Sequence, residues 1–143
     1  MPAGMAIPEH LRKQLVDHAL ADAPNECCGV IGVRPGAPRH AASVLAATNV
    51  AASPLRFEID GLEVLRLIEQ IDSEGLELGA IYHSHTRTAP YPSQTDINFA
   101  AGWPGVEWVI LGVADPQSPQ VCSYLIDQGQ VQEVAINADE VAI

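Results

Sequence analysis

The chain has 143 residues, 48% of them apolar, with seven Lys and Arg against eighteen Asp and Glu and a formal charge of -11. That length suits one domain, residues 1–143, with a buried core; the apolar runs fall short of the ~20 residues that a bilayer span needs, and the acidic balance repels phosphate backbones and anionic lipid. Nucleic-acid and membrane partners are disfavoured, "MPAGMAIPEH" lacks the basic and apolar regions of a secretory signal, and a cytoplasmic protein with reduced Cys27, Cys28 and Cys122 is expected.

Taken in chain order, "PEHLRKQLVDHALAD" sets Leu11, Leu15, Val16 and Ala19 on one stripe, with Pro8 and Glu9 suited to a first turn, and predicts an amphipathic helix from Pro8 to about Asp22. The runs "ECCGVIGV" and "AASVLAATNV" flank the Pro/Gly-rich "RPGAPRH" and predict two strands joined by a turn. After an irregular link, "AASPLRFEID", the segment "DGLEVLRLIEQIDSEG" has Asp60 as N-cap and Glu63 three residues on. Val64, Leu67, Ile68 and Ile71 follow at helical spacing, with Gly75 as terminator. A strand, "LELGAIYHSH", a short helix, "SQTDINFAAG", and three strands in "VEWVILGVA", "VCSYLID" and "QVQEVAIN" complete the order. Regular strand–helix alternation breaks down in the second half. The fold class predicted is therefore α/β (α+β), with a mixed, mainly antiparallel sheet.

The stretch "YHSHTRTAPYPSQTD" carries the chemistry. Residues two apart in a strand share a face, so His83 and His85 point the same way with alpha carbons about 7 Å apart, while Tyr82 and Ser84 face the opposite side. A loop stiffened by two prolines then leads to Ser93 and Asp96. Two imidazoles and one carboxylate supply three ligands, and in a catalytic zinc site the fourth position is left to water, whose pKa falls toward ~7. Each part has another reading. A His pair can be packing, and Ser-x-x-Asp is also a helix capping box. Jointly, this spacing arises by chance on the order of a few times in ten thousand chains of this length. Hydrolysis also needs a proton carrier near the metal but not on it. Glu26, before the first predicted strand, is the candidate, although spacing alone does not single it out. Cys27 and Cys28 raise the alternative of thiolate attack. Arg87, in the loop between the ligands, could meet a substrate carboxylate or simply face solvent.

Together Glu26, His83, His85, Ser93 and Asp96 resemble the signature of the JAMM (MPN+, Mov34) metalloprotease family: a glutamate, His-x-His, seven residues, Ser-x-x-Asp. "ECCG" is similar to the family's Glu-x-Cys-Gly, and "TNVAASPLRFEID" to the Asn, Pro and Phe segment of its bacterial members, so the likeness spans roughly residues 7 to 137. It implies a curved sheet flanked by helices, one Zn2+ held by His83, His85 and Asp96, Glu26 as general acid and base, and Ser93 as oxyanion donor. It also implies a partner: a ubiquitin-like or sulfur-carrier protein whose C-terminal Gly-Gly tail lies along a sheet edge. The compact form is most similar to bacterial stand-alone members that release cysteine from a sulfur carrier in cysteine biosynthesis. A metal-dependent peptidase for small peptides or cysteine adducts, and a non-catalytic interaction scaffold, are the alternatives. Oligomeric state is left open, a homodimer included.

Overall fold

The helices form where local signals ask for them. The computed structural model describes residues 1–36 and 38–137. Helix α1, Glu9–Asp22, buries Leu11, Leu15, Val16 and Ala19, the stripe expected from its periodicity. In α2, Gly61–Ser73, the Asp60 side chain accepts from the Leu62 N–H at 3.2 Å, and Gly75, at φ +74°, ends the run. Glu63 departs from the expected capping box: its Oε1 accepts from the Thr48 N–H at 2.8 Å, pinning the end of a neighbouring strand instead of its own helix. A tertiary donor outcompetes the local one there. Helix α3, Gln94–Ala100, starts on the reciprocal Ser93–Asp96 box. No helix among the described residues is long and apolar enough to cross a membrane.

Seven strands form one sheet in the order β1-β7-β6-β5-β4-β2-β3. These are β1 Ala3–Ala6, β2 Cys28–Val33, β3 Ala41–Ala47, β4 Glu77–His85, β5 Glu107–Gly112, β6 Gln120–Asp127 and β7 Gln130–Asn137. The β1–β7 and β4–β5 pairs are parallel; the other four are antiparallel. The sheet curls until its two edges approach, since Ala6 on β1 bridges His40 just before β3, with the Ala6 N–H donating to Arg39 O at 2.9 Å.

β1 is the strand that the sequence does not announce. "AGMA" is too short to show alternation, and what orders it is distant: parallel pairing with β7, and the buried Glu107 carboxylate, which accepts from the Met5 N–H at 3.0 Å and from Ser123 Oγ at 2.7 Å. A backbone donor and a hydroxyl satisfy the buried acceptor, whose pKa burial nevertheless raises.

Alternation along the central strands divides the interior in two. Toward α1 lie Cys27, Ile31, Ala80, Tyr82, Val109 and Leu111. Toward α2 and α3 lie Cys28, Val30, Ile81, Trp108 and Ile110. β2, β4 and β5 are therefore covered on both faces, and polar side chains at their ends are drawn into the protein. Gly29 is needed in β2 because a Cβ there would meet Leu45 O and the Tyr82 ring. Tyr82 cannot yield, being fully buried with its hydroxyl 2.7 Å from His18 Nδ1. Gly29→Ala should thus destabilise by about 1–3 kcal/mol and lower the melting temperature by roughly 4–12 °C; an unchanged thermal transition would mean that this approach is less tight than described.

Candidate metal centre

β4 ends by presenting His83 and His85 on the α2/α3 face, as strand parity requires, and Ser84 on the other. The prolyl loop after it is anchored at several points. His85 Nδ1 donates to Ala89 O at 2.8 Å, Thr86 Oγ1 donates to Pro24 O at 2.8 Å, and Tyr124 OH donates to Pro90 O. The loop delivers Asp96 in the first turn of α3. Three buried atoms then converge: His83 Nε2 and His85 Nε2 are 3.2 Å apart, and Asp96 Oδ2 is 3.1 Å from the first and 3.3 Å from the second.

This trio fits a small divalent cation. When His85 is neutral, with its Nδ1 proton donated to Ala89 O, its Nε2 turns a lone pair toward a carboxylate oxygen, a pairing that needs a proton or a metal cation between them. Tetrahedral zinc with N and O ligands at ~2.0–2.1 Å places its ligand atoms about 3.3 Å from one another, and the three observed separations match that edge. His83 Nδ1 has no hydrogen-bond partner, so local bonding does not dictate its tautomer. Phe57 stacks on the His83 ring at 4.6 Å between centroids and 24° between planes, holding the imidazole and excluding solvent.

The protonation states of Asp96 and His83 suit a ligand set. For Asp96, burial works against ionisation, but hydrogen bonds from His83, His85 and the Ser93 N–H outweigh it and hold the carboxyl well below the usual range. Burial lowers the His83 pKa despite Asp96, keeping this imidazole neutral as a ligand must be. Burial also opposes charge on His85, yet Asp96 and the Ala89 carbonyl raise its pKa overall.

The two readings of Ser93 and Asp96 hold at once. Asp96 Oδ2 accepts from the Ser93 N–H at 2.9 Å while facing both imidazoles, and Ser93 Oγ accepts from the Asp96 N–H at 3.1 Å. The capping box orients the carboxylate. Ser93 is exposed, and as an acceptor in the box it still has its hydroxyl proton to donate.

Glu26 reaches the centre through strand register. β2 runs antiparallel to β4 with Cys28 opposite His83, so two residues earlier Glu26 comes opposite His85 on the same face. It is 4% exposed, and its Oε1 has no partner. Burial pushes its pKa up to about 8, with His85 lowering and Asp96 raising it. Main-chain ties hold the segment: Cys27 N–H donates to Ser84 Oγ at 2.8 Å, which is what the serine between the histidines does.

Arg87 is not drawn in. It is exposed, lines a shallow cleft of about 210 Å³ with Thr88, Asp115, Ser118 and Gln120, and makes no hydrogen bond or ion pair to the trio among the described residues. The cysteine alternative fares poorly: Cys27 and Cys28 are fully buried, and burial pushes both thiols up to about 12, far from the depressed pKa of a nucleophile. Sequence reasoning missed what Phe57 and Thr86 do, because each acts on a residue distant along the chain.

Known proteins are similar to this chain along most of its length. It is 33% identical over 136 residues to the CysO-cysteine peptidase of Mycobacterium tuberculosis, covering 95% of this chain and 92% of that protein. It is 35% identical over 131 residues to a probable TtuB-protein conjugate cleaving protease of Thermus thermophilus, covering 91% and 80%, and 28% identical over 132 residues to the desampylase of Pyrococcus furiosus, covering 92% and 89%. A solution structure from Desulfitobacterium hafniense superposes with a TM-score of 0.84 at 29% identity, covering 92% of this chain and 90% of that one. The family of prokaryotic homologs of the JAB domain matches residues 8–127, and the chain belongs to that family.

Proposed function

We propose that this protein is a zinc-dependent hydrolase that cuts the bond after the C-terminal Gly-Gly of a ubiquitin-like protein, with release of cysteine from a sulfur-carrier protein as its reaction. The observation that carries the chemistry is the convergence of His83, His85 and Asp96 beside a buried carboxylate, Glu26, with an unpartnered oxygen. His83, His85 and Asp96 would hold the zinc, which when bound supplies Lewis acidity and brings the pKa of water toward ~7.

The rest is work for side chains. Glu26, on the same face as both histidines but outside the ligand trio, takes a proton from the attacking water and passes it to the leaving amine. Its raised pKa suits it to do both near neutrality. Ser93 donates its hydroxyl to the oxygen on which negative charge develops. Phe57 keeps bulk water from one side of the centre. Beside Glu26 opens a cleft of about 520 Å³ lined by His18, Asp22, Asn25, Thr48 and Asn49. Edge strand β3 ends there at Ala47, and a flexible glycine tail can approach along it.

The substrate class is inferred from the relatives, whose names specify a CysO-cysteine adduct, a TtuB conjugate and a desampylase activity. A carrier protein as partner follows from the same reading, and the cytoplasm is the compartment proposed for the reaction. Cleavage of a carrier ending in Gly-Gly-Cys should exceed that of free Gly-Gly-Cys in kcat/KM by about two orders of magnitude or more, because the folded carrier contributes binding energy that a tripeptide lacks. Equal rates on the two would replace the carrier with small peptides as substrate.

A further inference from the structure

The segment leading into β2 is fastened from two sides, by Ser84 and Thr86 at the end of β4 and, at Glu26 itself, by one loop. The Glu26 N–H donates to Ser53 O at 2.9 Å, and Glu26 O accepts from Asn49 Nδ2 at 3.0 Å. Both partners belong to the 48–58 connection. Asn49 is the hub of that connection. Its Nδ2 also donates to Arg56 O at 3.1 Å, and its Oδ1 accepts from the Ala51 and Glu58 N–H groups, each at 3.0 Å. An amide side chain has two donors and two lone pairs, and Asn49 uses all four. Val50 N–H closes the loop neck onto Glu58 O at 2.9 Å, and the residue before Glu58 is Phe57, the ring that covers His83.

We propose that Asn49 is a positioning residue: its amide ties the main chain at Glu26 to the loop bearing Ser53 and Phe57, and so fixes where the Glu26 carboxylate stands. This rests on Glu26 acting as general base. A glutamate has three side-chain torsions, so a buried carboxylate oxygen without a hydrogen bond is placed by its backbone and by packing alone. No other side chain among the described residues bonds the Glu26 carbonyl. Displacing a reacting group by about 1 Å costs on the order of 100-fold in rate, which makes the anchoring of this backbone a catalytic matter as well as a folding one.

Asn49→Asp tests the role because it keeps size and both accepting bonds but turns the two donors into an acceptor facing Glu26 O and Arg56 O. In the zinc-loaded enzyme, assayed well below its melting temperature, kcat should fall by about 10- to 100-fold, with KM changed less than about threefold and bound zinc near one per chain. Hydrogen exchange at the Glu26 and Cys27 amides should quicken by roughly tenfold. On a Glu26→Asp background, where the carboxylate is already misplaced, the added loss should shrink to less than about threefold.

An unchanged kcat, loss of zinc, or the same fold-loss in both backgrounds would overturn the proposal. If Asn49→Asp melts below the assay temperature, Asn49→Gln, which keeps the amide but shifts it by one methylene, is held to the same criteria. Full activity in Glu26→Gln would sink the general-base assignment, and this proposal with it. Full activity in Asn49→Asp beside an inactive Glu26→Gln would sink the positioning role alone.

Discussion

Glu26→Gln should lower kcat by roughly 10²- to 10⁴-fold, the usual contribution of a positioned proton carrier, while zinc remains near one per chain. The separation of the two effects is the point. Glu26 lies on the metal face by register with β4, yet it is not among the three atoms within ligand distance of one another. Glutamine is isosteric, so packing at this buried position is kept, but it neither takes nor returns a proton. Burial raises the Glu26 pKa and so disfavours the charged form, and the neutral variant should therefore fold at least as stably as the native protein. Turnover on a carrier ending in Gly-Gly-Cys, elemental analysis and a melting curve together decide it. Zinc loss in this variant would make Glu26 a ligand and contradict the proposed division of labour.

The second large effect concerns Asp96, where two functions share one oxygen. Asp96→Asn should keep an amide oxygen able to accept from the Ser93 N–H, so α3 should lose at most about 1 kcal/mol of capping energy. It removes the negative charge that faces two imidazoles at 3.1 and 3.3 Å, and zinc and activity should then disappear together. Adding a chelator to the native protein should reproduce the inactive state and lower its melting temperature, since binding energy spent on the folded form is lost. In Asp96→Asn the same chelator should have no effect on melting. A variant that retains stoichiometric zinc would show that other groups hold the ion and that Asp96 serves the helix alone.

Much of this was legible because the chemistry is local in sequence. His83 and His85 share a face through strand parity, and Ser93 and Asp96 pair through one helical turn, so four residues could be read without a fold. The same holds for α2, whose Asp60 cap and Gly75 stop are local devices. Glu26 was harder. Its place depends on β2 pairing antiparallel with β4 in one register, a contact across more than fifty residues; spacing alone does not single it out among the glutamates, and the family resemblance supports the choice. β1 was invisible for a related reason: four residues with no amphipathic pattern are ordered by β7 and by the Glu107 carboxylate. Glu63 shows the converse error, in which a sound local rule loses to a donor supplied by the end of β3. The mixed sheet followed from the element order, but the approach of β1 to the β3 edge, which closes the curl, rests on a single bridge at Ala6 that no periodicity could announce.

Elemental analysis of protein purified without chelators tests the central claim most directly. One zinc per chain, reduced to background when His83, His85 and Asp96 are all replaced by alanine, is the result predicted. Absence of any transition metal from active native protein, or full retention of zinc by the triple variant, would contradict it.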